Sequence, residues 1–196
     1  MAIQSDKSAD FRKYVVEFIG TFFLVMCICM TEAGGLGAFT PIAIGLTLVM
    51  LVYAGGYLSG AQFNPAVSLA MYLRGKLKAG DLLPYMVGQF LGATLAAMLS
   101  GFLLTTNEVT PPVTKELVIV PGLIAELLGT ILYVYVFLNM FATRRTSGNS
   151  YFGLAIGLAY LAAVYTFQNV SEGAFNPAVA LGITMANLTS WSSIWI

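Results

Sequence analysis

Histidine is absent from this 196-residue chain. That excludes imidazole acid–base catalysis and histidine metal sites. Charge is scarce: Asp, Glu, Lys and Arg make up 9% of the residues and cancel to a formal net charge of zero. A soluble domain carries about 25% charged residues. The shortfall excludes an ordinary water-soluble enzyme, a disordered tail and a nucleic-acid binder, since the last needs a basic surface. Cysteine is limited to Cys27 and Cys29. Two apart in an apolar run, they fall on different faces of a helix, read as small inert hydrophobes and say nothing about redox compartment. The sequence shows no nucleophile–base pair and no metal-ligand cluster, so no enzyme activity, metal or cofactor is expected. Nor is a secretory signal with a cleavage site visible, because the first apolar run is too long for one.

What the chain has instead is apolar length, with 58% hydrophobic residues. A helix needs about 20 apolar residues to cross roughly 30 Å of hydrocarbon. Five runs qualify, at 14–33, 39–58, 82–104, 118–141 and 151–167. Two further pieces, 64–73 and 176–186, are too short to span, and each opens with Asn-Pro-Ala. Asn is a good cap and Pro suits the first helical position, so each reads as the start of a half-helix. A last apolar run only begins at 191–196.

Basic residues collect on the cytoplasmic side of membrane proteins. Lys7, Arg12 and Lys13 precede the first span, Arg74, Lys76 and Lys78 follow the first half-helix, and Arg144 and Arg145 follow the fourth span. With a cytoplasmic N-terminus and half-helices that return to their side of entry, all of these fall inside. Only Lys115, in the loop 105–121, falls outside. A full crossing at 64–73 would break this pattern.

The two halves repeat. Glu17-Phe18-Ile19-Gly20-Thr21 answers to Glu126-Leu127-Leu128-Gly129-Thr130, and Ala43-Ile44-Gly45-Leu46 to Ala155-Ile156-Gly157-Leu158. Ala61-Gln62-Phe63-Asn64-Pro65-Ala66-Val67 answers to Gly173-Ala174-Phe175-Asn176-Pro177-Ala178-Val179, with Ser59 and Ser171 just upstream. An odd number of spans separates the copies, which inverts the second across the membrane, as in inverted-repeat transport proteins. The half-helices then enter from opposite sides and meet at Asn64 and Asn176 near the midplane. Each tip presents about half a positive charge and unpaired N–H groups. Irregular backbone at membrane depth survives only when buried or lining a watery cavity. A pore meets these demands together, repelling cations and offering donors to a passing oxygen. The competing reading is that both Asn residues only cap helices inside a closed bundle.

With these residues in view, the chain resembles the aquaporins, or major intrinsic proteins. The paired Asn-Pro-Ala boxes carry the resemblance, with Glu17-Phe18-Ile19-Gly20-Thr21-Phe22, Leu58-Ser59-Gly60-Ala61-Gln62-Phe63 before the first box, Gln89 with Gly92, and Ala125-Glu126-Leu127-Leu128-Gly129-Thr130. It covers the chain from about residue 14 onward. It implies an all-α membrane protein: a right-handed, inverted-repeat bundle of six spans with two re-entrant half-helices. It further implies a homotetramer with one pore per subunit in the lipid bilayer and passive conduction of water or small uncharged solutes, with no nucleic acid involved. On this reading residues 1–13 are a cytoplasmic tail and 14–196 a single channel domain, repeat one at about 14–104 and repeat two at about 118–196. The expected setting is the plasma membrane, with the N-terminus inside.

The resemblance also assigns roles. Asn64, Pro65, Ala66, Asn176, Pro177 and Ala178 are the pore-lining boxes, with both Asn amides donating to the moving file. Glu17 and Glu126 are buried acids that hold the half-helix loops, which suits a carboxylate too costly to leave unpaired in hydrocarbon. An alternative makes them a proton relay, although they lie in opposite halves without His or Lys partners. The outer constriction maps to Ile44, Val164, Gly173 and Val179. The family usually places Arg at the position of Val179, and water-selective members place His at that of Val164. The quartet is therefore apolar, without fixed charge or side-chain donor. If wide, it admits glycerol, urea, ammonia or undissociated weak acids; if narrow, it dewets. Ala180 stands where glycerol-conducting members carry Asp. Glu172 beside the filter loop is either a mouth charge or, as the plainer reading, a solvated loop acid. The other departure is the sixth span, expected to be truncated, which leaves open a non-conducting structural member or fragment.

Smaller features complete the reading. Gly88 with Gly92, and Gly153 with Gly157, allow close helix contact. Trp191, Trp195 and Tyr151 fit interfacial belts. Pro111-Pro112 marks an extended outer loop, and Ser5, Asp6, Lys7 and Ser8 a solvated tail. Asn187-Leu188-Thr189 matches a glycosylation pattern on sequence alone.

Overall fold

The structure is a computed structural model that describes residues 7–109 and 117–194, with side chains from residue 11 onward. Ser5 and Asp6 of the tail, Lys115, Pro111-Pro112 and Trp195 lie outside the described residues. The described elements are all helical: α1 (Lys7–Ala33), α2 (Thr40–Ser59), α3 (Pro65–Leu73), α4 (Ala79–Thr106), α5 (Ile119–Phe141), α6 (Phe152–Ser171) and α7 (Pro177–Met185). Five stretches are long and apolar enough to cross a membrane: Phe11–Ala33, Gly37–Ser59, Ala79–Thr106, Ile119–Phe141 and Phe152–Ser171. Five spans and two half-helices therefore stand where the apolar runs place them.

The ends differ in instructive ways. α1 begins at Lys7, within the stretch 1–13 expected as a tail. Polar residues there extend the helix beyond the apolar run, and Lys13 pairs with Asp81 near the start of α4 at 3.3 Å, with Tyr14 Oη donating to the same carboxylate at 2.7 Å. α6 runs through Gln168 and Asn169 to Ser171, past the apolar boundary at 167, and stops where Glu172 turns left-handed at φ +70°. After α7 the described residues hold one 3₁₀ turn, Trp191–Ser193.

Packing follows small residues, as expected where lipid removes most hydrophobic drive between helices. α1 lies along α4, and α2 along α6. The α2–α6 seam joins the two repeats through equivalent glycines. A Cβ built on Gly157 would stand 2.6 Å from Gly45 O, and one on Gly45 3.2 Å from Gly157 O. Any larger residue at either place separates the halves. Around this core the outer faces stay apolar. Leu127, Ile131 and Tyr135 of α5 are exposed, as are Leu91, Leu95 and Met98 of α4. In water such surface is a liability; against acyl chains it is the stable arrangement.

Candidate functional site

The half-helices start from a backbone that most residues avoid. In the loop before α3, Gly60, Ala61 and Phe63 have positive φ (85°, 46° and 49°); before α7, Glu172, Gly173 and Phe175 do so (70°, 72° and 45°). The same three places of the repeat are left-handed, although the residue types differ. At the four non-glycine places, Ala61, Phe63, Glu172 and Phe175, such conformations cost of order 1–3 kcal/mol each and persist only where surroundings impose them.

Two buried acids supply that imposition. Glu17, 0% exposed, accepts four hydrogen bonds. Oε1 takes Ser59 Oγ at 2.6 Å and Gln62 N at 2.9 Å, and Oε2 takes Phe63 N at 2.6 Å and Gln89 Nε2 at 2.8 Å. Every partner is a donor, as an ionised carboxylate requires. Glu126 does the same for the second loop, taking Ala174 N at 3.0 Å and Phe175 N at 2.6 Å. The glycine one turn on then explains the recurring Glu-x-x-Gly. A Cβ on Gly20 would lie 2.0 Å from the Phe63 ring, and one on Gly129 2.1 Å from the Phe175 ring. Each helix thus holds a loop by its carboxylate and seats the loop's Phe in the gap left by its glycine.

The boxes meet as the inverted repeat demands. Asn64 and Asn176 are the N-caps of α3 and α7, with Oδ1 accepting from Ala66 N at 2.8 Å and from Ala178 N at 3.0 Å. Pro65 and Pro177 occupy the first helical position, where no N–H is needed. Beyond capping, each amide crosses to the other loop: Asn64 Nδ2 donates to Phe175 O at 2.9 Å and Asn176 Nδ2 to Phe63 O at 2.8 Å. Capping and cross-linking therefore coexist in one side chain. Each Nδ2 carries a second hydrogen.

On the side where α1 and α6 end, the structure holds a cavity of about 460 Å³. Ile44, Val164, Gly173 and Val179 all line it, although they come from α2, α6, the second loop and α7. Counting from the Asn residues thus identified four positions that converge in space. The floor adds Tyr160 and Ala174, joined by a hydrogen bond from Tyr160 Oη to Ala174 O at 2.6 Å. The rim carries Glu32 and Glu172 with Gln168 and Asn169. Glu172 therefore faces the cavity rather than standing apart as a loop acid. Neither Asn64 nor Asn176 lines it, and they are 1% and 4% exposed. Sequence reasoning missed Tyr160 and Glu32. The repeat offset that equates Ile44 with Ile156 sets Tyr160 against Leu48, and that mismatch was the available signal.

Among the described residues no group of His, Cys, Asp and Glu could hold a metal. Cys27 and Cys29 are free thiols.

Comparison with known proteins agrees with the geometry. The family described as Major intrinsic protein matches residues 5–196. The chain is 32% identical to "Glycerol uptake facilitator protein-like 6" of Lactiplantibacillus plantarum over 94% of its own length and 89% of the relative's. It is 31% identical to Aquaporin Z of Brucella melitensis, again over 94% and 89%. Among solved structures it is similar to the X-ray structure of an aquaglyceroporin from Plasmodium falciparum, with a TM-score of 0.75 at 23% identity, covering 88% of this chain and 79% of that one.

Proposed function

The chain belongs to the major intrinsic protein family, a family of integral membrane channels rather than enzymes, and on that footing we propose that it is a passive channel for water and small uncharged solutes such as glycerol, urea or ammonia. The observation that carries the reading is the convergence of Ile44, Val164, Gly173 and Val179 on one cavity above the cross-linked boxes. We assign these four as the selectivity filter. Their side chains offer no charge and no donor, so selection there rests on width and on backbone acceptors. Asn64, Pro65, Ala66, Asn176, Pro177 and Ala178 form the second station. There the half-helix dipoles exclude cations, and the spare Asn hydrogens orient the permeant. Glu17 and Glu126 act as fixed loop supports. Their oxygens are committed to N–H and O–H donors, which argues against a proton relay.

The distribution of basic residues supports a cytoplasmic N-terminus and a cavity that opens on the outer side, and we assign the chain to the plasma membrane. Single-chain repeats 14–104 and 118–196 form one channel domain, and the exposed α5 face meets lipid or a neighbour in a homotetramer. A non-conducting member is the second reading, favoured by the cavity's failure to reach either Asn. Stopped-flow shrinkage of proteoliposomes in sucrose, then swelling in glycerol, decides. Rates above empty vesicles support a channel; rates equal to empty vesicles refute it.

A further inference from the structure

The cavity ends at Tyr160. This residue lies one helical turn before Val164 on α6, so its side chain stands beneath the apolar ring on the same face. It is 1% exposed, and its ring is wedged edge-on between Tyr133 (centroids 5.2 Å apart, 83°) and Phe175 (6.1 Å, 76°). Its hydroxyl donates to Ala174 O. Ala174 sits between Gly173, which lines the cavity, and Phe175, whose carbonyl receives Asn64. It therefore occupies the step between the proposed filter and the boxes. A molecule descending from the cavity needs acceptors to replace its lost water, and backbone carbonyls supply them. Here a protein hydroxyl already takes one of that acceptor's two lone pairs.

The fold does not require a tyrosine at this place. Leu48, at the equivalent position of α2, is 0% exposed and packs without any hydroxyl. The aromatic closure belongs to one half only.

We propose that Tyr160 is the conductance-limiting residue of this channel: its ring closes the passage between the apolar filter and the Asn-Pro-Ala boxes, and its hydroxyl latches that closure to Ala174 O. The passage opens when the latch breaks and the ring turns aside. This proposal rests on the channel reading above.

The test compares wild type, Tyr160→Phe and Tyr160→Val in proteoliposomes, normalised to protein that elutes as one species on size exclusion. Tyr160→Phe keeps the ring and frees the carbonyl. Losing one net hydrogen bond shifts the open fraction about fivefold, and water permeability is expected to rise by about that factor. Tyr160→Val removes the ring too and is expected to conduct faster still, with glycerol gaining as well as water. A wild type above empty vesicles whose rate rises in both variants supports both the latch and the channel. Equal rates above empty vesicles for all three refute the latch and leave the channel standing. Rates equal to empty vesicles for all three refute both. If Tyr160→Val fails to reconstitute, Tyr160→Phe decides alone: a rise supports the latch, and no rise overturns it.

Discussion

Glu17→Gln and Glu126→Gln are the same chemical change at equivalent places, and they should cost about the same. Glu17 accepts from Ser59 Oγ, Gln62 N, Phe63 N and Gln89 Nε2. Glu126 accepts from Ala174 N and Phe175 N, and the Ser171 hydroxyl and Gly173 N also bond to it. An amide keeps one accepting oxygen and turns an NH₂ toward the other donors. At residue 17 the milder rotamer aims that NH₂ at Ser59 Oγ, which can accept, and strands Gln62 N. At residue 126 either rotamer strands a backbone N–H. So both variants lose one buried partner, worth about 1–3 kcal/mol. Both also lose charge assistance, worth about 1 kcal/mol per bond, on the bonds that remain. These losses are reduced at each site by the relief of burying a neutral group. A 150–250-residue domain shifts its melting temperature by about 2–4 °C per kcal/mol. Thermal unfolding in detergent, followed by circular dichroism, should therefore place both variants well below wild type and within a few degrees of each other. A large fall for one variant beside an unchanged melt for the other would refute the argument that the two acids are equivalent loop supports.

Three other outcomes are expected. Val179→Arg puts a long cation into the cavity that Ile44 and Val164 also line, so glycerol flux should fall more than water flux in paired stopped-flow runs. An equal loss would count against the filter assignment. Gly20→Ala and Gly129→Ala each drive a methyl into a Phe ring and should destabilise by about 1–3 kcal/mol. Gly101→Ala, with nothing within 4 Å of its added carbon, serves as the neutral control in the same melt, and a matching shift there would undo the claim. Asn64→Asp retains the oxygen that caps α3 but loses the donor to Phe175 O. It should cost about 1–3 kcal/mol, and an unchanged melt would show that the cross-link contributes nothing.

The membrane helices were legible because each is an unbroken apolar run of the required length. The half-helices were legible because Asn-Pro-Ala is both a cap and a first turn. Ile44, Val164, Gly173 and Val179 were legible only through the resemblance, which supplies their offsets from the boxes, and the structure brings them to one cavity. Less was legible where local composition and tertiary partner disagree. Lys7 to Lys13 looks like a solvated tail, but α1 already includes these residues and Lys13 finds Asp81 across the bundle. Gln168 and Asn169 lie past the apolar run that ends at 167, yet α6 carries them to the cavity rim. Tyr160 sits in an apolar run and reads as core. Only its partner, a carbonyl in a distant loop, makes it more than that.

That partner invites a rival explanation, and the repeat supplies it. The first loop also has a tyrosine hydroxyl on a carbonyl, from Tyr85 of α4 to Ser59 O at 2.8 Å. The second loop's tyrosine could then be no more than a brace. The two bonds differ in position. Tyr85 is not among the residues lining the cavity, whereas Tyr160 forms its floor. Both loops also have an acid to hold them, with Glu17 taking Gln89 of α4 and Glu126 bonding to the Ser171 hydroxyl of α6. Bracing and closure can be properties of one bond. Loss of the hydroxyl then lowers stability by about 1 kcal/mol and raises flux together. A pure brace lowers stability and leaves flux where it was. The two quantities, measured on the same Tyr160→Phe preparation, therefore separate a latch from a strut.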